Sequence, residues 1–468
     1  MDIISIYEKF KECGAVSTDT RALNSGEMFF AIKGQNYDGS EYALKAFELG
    51  ARYAVVNASS KVAELDDPRL IKVEDTLKTI LELARWHRSM VFVDGKHLPV
   101  VALTGTNGKT TTKELVRAVL STKYNVTATE GNLNNIIGVP KTLLKINDQT
   151  QIAVVEMGAN HPGDIKDLVD IACPNYGLIT NVGRAHLLGF GSFEGVKATK
   201  GELYDYLRRT ADKAFINVDN PHLCQMASDR NMQHDPERSE SLLIPYGLEY
   251  QGAKVLPSSA EHPFLRIELP VSGEACNFER AEGGEKSIII NTNLIGSYNA
   301  DNVMAALAVG KQFGVTLEEA VKAIEAYVPS NNRSQMTKTE KNTLIVDAYN
   351  ANPTSMAAAL ENFSNVSAEV KVAMLGDMLE LGQYSLTEHV AVIRSVASRG
   401  LDHTFFVGME FIAASEAIKA EAGHLEGMTF FATSDELAQH LADNPLDGAT
   451  ILIKGSRGTL MENVIPVL

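Results

Sequence analysis

The stretch that decides the fold reads Leu98-Pro99-Val100-Val101-Ala102-Leu103-Thr104-Gly105-Thr106-Asn107-Gly108-Lys109-Thr110-Thr111-Thr112. An apolar run over 100–103 enters a glycine-bounded loop, and beyond it Leu115, Val116, Val119 and Leu120 recur at helical spacing. A strand thus leads through glycines into a helix N-terminus, where free backbone N–H groups point at an anion. In such a phosphate loop Lys109 reaches the β/γ-phosphates and the Thr110 hydroxyl holds Mg2+. The usual pattern, G-x-x-x-x-G-K-[ST], would place its first glycine at Leu103, so this is a shorter relative that begins at Gly105. The alternative, a bland loop of the same composition, does not explain why strand, loop and helix fall in the order the motif requires.

Composition narrows the class. A chain of 468 residues predicts about three domains, and 45% hydrophobic residues are enough for several cores. The net charge of -16 argues against nucleic acid or an anionic membrane surface as partner, while leaving room for a local basic pocket that takes a nucleotide. Tyr7, Glu8, Lys9, Lys11 and Glu12 interrupt any apolar run near the start, unlike a signal peptide. No stretch is long and apolar enough to predict a membrane span. Cys13, Cys173, Cys224 and Cys276 are scattered without metal-ligand spacing, so reduced thiols in a cytoplasmic protein are expected.

The pattern predicts an α/β protein of three domains. Residues 1–97 form a small N-terminal α/β domain, with strands over 28–32 and 53–56 around a helix over 41–49. Residues 98–327 form a central P-loop mononucleotide-binding α/β domain, its strands over 152–156 and 178–180 alternating with helices as in a largely parallel sheet. Over 242–294 the texture shifts to period-two runs at 265–270 and 286–290, with Gly273, Gly283 and Gly284 as turn signals. That span reads as an antiparallel appendage, and a helix over 299–313 closes the domain. After a break at 328–332, residues 328–468 alternate strands (343–346, 371–375, 404–407, 429–432, 450–453) with helices, a Rossmann-like domain without G-x-G-x-x-G.

Several residues suit chemistry, each with a plainer reading beside it. Glu156 ends the apolar strand over 152–155, where α/β proteins place polar groups facing a ligand; it suits Mg2+, or is a solvated strand-end acid. His186 follows another strand and could be a ligand or a packing histidine. Lys200 could sit near metals or be a solvated helix lysine. Asn132, Asn134 and Asn135 make either a turn or a polar comb for sugar hydroxyls or amides. Lys454, Ser456 and Arg457 follow a strand, so a hydroxyl and two cations gather at its carboxyl end, where a carboxylate could be gripped; the alternative is a surface loop offsetting nearby acids.

With these residues in view, the whole chain resembles the Mur ligase family, the ATP-dependent amide-forming enzymes of peptidoglycan precursor synthesis. Gly105 to Thr111 is similar to the family's shortened phosphate loop, and Glu156 and His186 to its metal positions. Gly296-Ser297-Tyr298-Asn299-Ala300-Asp301-Asn302 resembles its nucleotide-contacting G-x-H-N-x-x-N segment, with Tyr298 where histidine is usual. Three later motifs, Asp347-Ala348-Tyr349-Asn350-Ala351-Asn352-Pro353, Gly376-Asp377-Met378-Leu379-Glu380-Leu381-Gly382 and Ile453-Lys454-Gly455-Ser456-Arg457, resemble the branch that adds D-alanyl-D-alanine, as does Ser17-Thr18-Asp19-Thr20-Arg21.

The resemblance implies ATP and Mg2+ as cofactors, with UDP-MurNAc-tripeptide and D-alanyl-D-alanine as substrates. The tripeptide's terminal carboxylate would attack the γ-phosphate to give an acyl phosphate, which the dipeptide amine then resolves. It further implies UDP-substrate contacts at Thr18, Asp19 and Arg21, nucleotide contacts at Asn299, Asn302, Asp347 and Asn350, and a phosphate-facing cation at Arg333, which here follows Asn332 rather than glycine. A second metal is implied at His186 and at Lys200 carboxylated on its amine. The first domain would bind the UDP substrate; the third would bind nucleotide and the dipeptide. A monomer is expected. The nearest rivals are folylpolyglutamate synthase, the sister ligase adding diaminopimelate or lysine, and, from another class, a non-enzymatic ATP-binding regulator.

Overall fold

The computed structural model describes residues 1–34, 37–233, 241–259, 262–271, 287–329, 335–422 and 425–468. Each of its three α/β domains is built on a parallel sheet. In the first, Val16–Ser17, Met28–Phe30, Tyr53–Asn57 and Leu70–Val73 pair in chain order, all parallel. Met28–Phe30 is buried throughout, because helices cover both faces of such a sheet. Helix Thr76–Met90, capped by the Asp75 carboxylate on the Lys78 N–H, joins this domain to the next. Its His87 Nε2 lies 2.8 Å from the Ile146 carbonyl, and Arg88 donates to Asn175 Oδ1 at 3.0 Å.

The central sheet has six parallel strands in the order Leu243–Tyr246, Lys213–Asn217, Tyr176–Ile179, Val100–Thr104, Ile152–Glu156, Val126–Ala128. In register, Leu103 faces Glu156 on one side and Leu178 on the other, so the carboxyl ends of the three middle strands share one edge. That edge is where open α/β sheets collect ligands. Helix Lys109–Leu120 lies behind it and buries Leu115, Val116, Val119 and Leu120 against the sheet and helix Ala300–Gln312. Each such side chain contributes roughly 1.5–3 kcal/mol when fully buried, which fixes where the loop ahead of it sits.

Two expectations for this domain need correction. The antiparallel appendage, Lys254–Leu256, Arg266–Pro270 and Ser287–Asn291, begins later than residue 242. Leu243–Tyr246 instead pairs parallel with Lys213–Asn217 as the sheet's edge. An edge strand is half exposed and tolerates Pro245, so its texture resembles that of an antiparallel strand. Nor does the helix over 299–313 close the domain, since helix Leu317–Ala326 follows with a Thr316–Glu319 capping box. Gly273, Gly283, Gly284 and Cys276 lie outside the described residues.

The C-terminal sheet runs Gln335–Lys338, Thr343–Asp347, Ala449–Lys454, Val370–Gly376, His403–Val407, Met428–Phe431, parallel except for its first strand. It meets the central domain along the segment after Tyr176–Ile179. Arg184 pairs with Glu388 at 2.7 Å and its N–H donates to Thr354 Oγ1 at 3.1 Å, while the Leu188 N–H donates to the Glu380 carbonyl at 3.1 Å. Among the described residues no helix is long and apolar enough to cross a membrane.

Candidate active site

The phosphate loop is held by its neighbour strand. Thr180 Oγ1 donates to the Asn107 carbonyl at 2.6 Å, the Asn107 N–H donates to Asn181 Oδ1 at 3.0 Å, and the Thr106 N–H to the Asn181 carbonyl at 2.9 Å. Two glycines are obligatory. Gly105 has φ +144° and a Cβ there would lie 2.0 Å from Thr180 Oγ1; Gly108 has φ +79° and a Cβ would lie 2.6 Å from Asn302 Oδ1. The Lys109 ammonium donates to the carbonyls of Gly105 and Thr106 at 2.8 and 3.0 Å, so it sits inside the arch of the loop. Gly108→Ala should therefore weaken nucleotide binding about tenfold or more. The left-handed backbone alone costs an alanine roughly 1–2 kcal/mol, and the Asn302 amide must also move. Calorimetric titration with ADP checks this, and an unchanged affinity would contradict the loop's role.

Just below the loop, Thr110 Oγ1 donates to Glu156 Oε2 at 2.9 Å, and Asn134 Nδ2 donates to Glu156 Oε1 at 2.7 Å. Glu156 is 1% exposed, and these two donors are neutral. The structure thus joins three expected residues, Thr110, Asn134 and Glu156. Asn135 instead caps the following turn through the N–H groups of Ile137 and Gly138, while Asn132 faces a cleft.

Lys200 is 2% exposed, with Nζ 3.4 Å from the Ala159 carbonyl and 5.4 Å from the Phe190 ring centre. Burial, reinforced by the charge of Lys109, pulls its amine well below the ordinary lysine pKa. His186 contacts Glu380 of the C-terminal domain through Nδ1. Burial lowers its pKa, the Glu380 charge opposes that shift, and Lys109 and Lys200 add to it. Lys109, His186 and Lys200 therefore share one neighbourhood. Among the described residues no group of three or more His, Cys, Asp or Glu is gathered as a metal site.

A cavity of about 380 Å3 opens between the central and C-terminal domains, with Asn132, His186, Asn350, Glu380, Ser456 and Arg457 in its lining. Tyr349 also lines it, beneath the exposed Arg457 guanidinium at 6.0 Å. Other expected contacts are turned inward. Asn302 Oδ1 accepts from Thr112 Oγ1 at 3.0 Å and its Nδ2 donates to Asn299 Oδ1 at 2.8 Å, while Asn299 Nδ2 donates to the Ile295 carbonyl at 2.8 Å. Both are buried and shape the loop from behind, a consequence of their helix packing on Lys109–Leu120. Lys454, 1% exposed, pairs with Asp347 at 2.5 Å rather than standing open to a carboxylate. Their strands are neighbours, with Asp347 in register with Lys454. Ser456 Oγ accepts from the Leu379 N–H at 3.0 Å.

Thr18, Asp19 and Arg21 lie away from that cavity, after the first strand. Asp19 chelates Arg21 at 2.7 Å, which with the Arg21 N–H holds its carboxyl at about 2, and Lys141 of the central domain adds to the pull. Arg333 and Asn332 lie outside the described residues. Two residues at the domain boundary escaped the sequence reading. Asn352 Nδ2 donates to Asn107 Oδ1 of the phosphate loop at 2.8 Å, and Glu380 reaches His186. Both sit inside quoted motifs, and that was the available signal.

Glycine loop, buried carboxylate and interdomain cleft define a nucleotide-dependent ligase site, and the chain belongs to the Mur ligase family. Residues 13–90 match the family's catalytic domain, 103–310 its middle domain and 332–457 its glutamate ligase domain. The chain is 32% identical over 455 residues to the Bacillus subtilis UDP-N-acetylmuramoyl-tripeptide--D-alanyl-D-alanine ligase, covering 96% of this chain and 92% of the relative. The Escherichia coli protein of the same name is 34% identical, with 97% and 93% covered. The crystal structure of MurF from Acinetobacter baumannii superposes with a TM-score of 0.79 at 29% identity, over 97% of this chain and 92% of that one.

Proposed function

We propose that this chain is the ATP-dependent ligase that adds D-alanyl-D-alanine to UDP-MurNAc-tripeptide, giving the pentapeptide precursor of peptidoglycan with ADP and phosphate. The observation that carries the reading is the juxtaposition of phosphate loop and interdomain cleft: Asn107 of the loop bonds Asn352, whose neighbours Asn350 and Ala351 line the cleft with Arg457. Two anions, carboxylate and triphosphate, must meet there, so cations and backbone donors have to surround the γ-phosphate. Lys109, the N-terminus of Lys109–Leu120 and Arg333 supply that field. The first domain takes the UDP portion at Thr18, Asp19 and Arg21. Asn350, in the cleft lining, faces the nucleotide from the third domain, while Asp347 is held beside it by Lys454, and motion of that domain onto the other two would exclude water from the acyl phosphate.

The donor set fits magnesium. Mg2+ takes one or two protein oxygens and completes its shell with phosphates and water, and the buried Glu156 carboxylate with the Thr110 hydroxyl offers those oxygens. When bound, the ion neutralises charge on the transferring phosphoryl group. A second ion would use His186 and Lys200, the latter as its carbamate. A buried amine held neutral can attack CO2, forming a C–N bond and releasing one proton, and the resulting anion offers oxygens where an ammonium would repel the ion.

Arg457 is suited to the free carboxylate of D-alanyl-D-alanine, because a guanidinium grips carboxylates bidentately and this one is exposed at the cleft. Arg457→Ala should raise the KM for the dipeptide about tenfold or more while leaving those for ATP and the UDP substrate within about twofold. Equal losses for all three would mean that the loop only shapes the domain arrangement. The function itself is tested by following ADP release with and without added amine. Release that requires UDP-MurNAc-tripeptide and D-alanyl-D-alanine together is expected, and release indifferent to the amine would indicate a nucleotide switch.

A further inference from the structure

We infer that Glu380 is a positioning residue through which the C-terminal domain completes the central domain's metal site, by holding His186 in its ligating orientation. The inference rests on the reading of His186 as a metal ligand. Seven described non-glycine residues have positive φ, and His186 (+50°) and Glu380 (+63°) are two of them. Such backbone is disfavoured for residues with a Cβ and persists where surrounding structure enforces it. Here the two meet each other across the domain boundary, Glu380 carboxylate to His186 Nδ1, with the Leu188 N–H on the Glu380 carbonyl beside them.

The chemistry of the pair is that of a histidine ligand with its supporting carboxylate. A metal-bound imidazole commonly donates its other ring N–H to a carboxylate, which fixes tautomer and ring direction. Glu380 at Nδ1 leaves Nε2 as the ring atom for the ion. The backbone segment that carries the carboxylate is anchored well: Gly376–Gly382 leaves strand Val370–Gly376 through Asp377, which accepts from the N–H groups of Glu410 and Phe411 at 3.0 Å each, and the next residue's N–H donates to the fully buried His389 at 3.0 Å. Ser456 holds the Leu379 N–H one residue before Glu380. The segment that carries Arg457 to the cleft thereby also fixes the group that orients His186, so the dipeptide-binding domain and the metal site form as one unit.

Mn2+ binding to the full chain, read by electron paramagnetic resonance with a non-hydrolysable ATP analogue present, tests this without turnover. Wild type should bind two ions and His186→Ala one. Glu380→Ala should keep both but weaken one of them about 10- to 100-fold, and Glu380→Gln, which retains an acceptor oxygen, should lose less. Two ions of unchanged affinity in His186→Ala would overturn the metal reading of His186 and the inference with it. Loss of an ion in His186→Ala with wild-type affinities in Glu380→Ala would overturn the inference alone. So would a Glu380→Ala effect confined to the KM for D-alanyl-D-alanine, since Glu380 would then be a substrate contact.

Discussion

Lys109→Ala is expected to reduce ligation by about 10³-fold or more while the protein still folds. Removing one preorganised donor from a transition-state site costs about 10²–10³ in rate, and cations serving phosphoryl transfer contribute up to about 10⁵. Lys109 is that kind of group, because its ammonium is held by the Gly105 and Thr106 carbonyls within the loop and packs no core. The helix it opens is fixed independently by Leu115, Val116, Val119 and Leu120. Turnover at saturating ATP, with thermal melting as the control, decides the matter. Near wild-type turnover would remove the phosphate-loop assignment.

Lys200→Ala should also abolish activity, and short carboxylates such as formate or acetate should restore part of it. Nothing about a solvated lysine predicts rescue. A carbamate does, because an added carboxylate can place its oxygens where the modified side chain placed its own. The setting favours this chemistry: Lys200 is 2% exposed and near Lys109, so the ammonium form is disfavoured and the nucleophilic amine is available. Its nearest described acceptor, the Ala159 carbonyl, is 3.4 Å away, a weak hold for a buried cation. Activity measured across a carboxylate titration is the check. Full activity without additive would make Lys200 a bystander.

How much of this was legible in the sequence follows from the range of each interaction. The strand before the loop, the helix after it and the strand ending in Glu156 are written in local periodicity, and the structure has them as Val100–Thr104, Lys109–Leu120 and Ile152–Glu156. The two-residue strands Phe92–Val93 and Lys96–His97 and the edge strand Gln335–Lys338 are too short or too polar to show a period. The clustering of the glycine loop, Lys109, Thr110 and Glu156 was legible by residue type, because glycine, lysine and carboxylate at strand ends have few other reasons to coincide. What those residues do to one another was not. Asn302 reads as a ligand amide and proves to brace Gly108; Lys454 and Asp347, each expected to meet a ligand, meet each other. Contacts such as His186 with Glu380, 194 residues apart, or Asn107 with Asn352, 245 apart, leave no local pattern, since they arise only when two separately folded domains dock.

The most direct test of the central claim is the product itself. The purified chain should be incubated with ATP, Mg2+, D-alanyl-D-alanine and UDP-MurNAc-tripeptides carrying either lysine or diaminopimelate, and the nucleotide-sugar products weighed by mass spectrometry. The account predicts a species heavier than one of these tripeptides by the dipeptide less one water, with one ADP and one phosphate for each amide formed. ATP hydrolysis with neither tripeptide extended, or ligation of a single amino acid to the dipeptide precursor in its place, would contradict it.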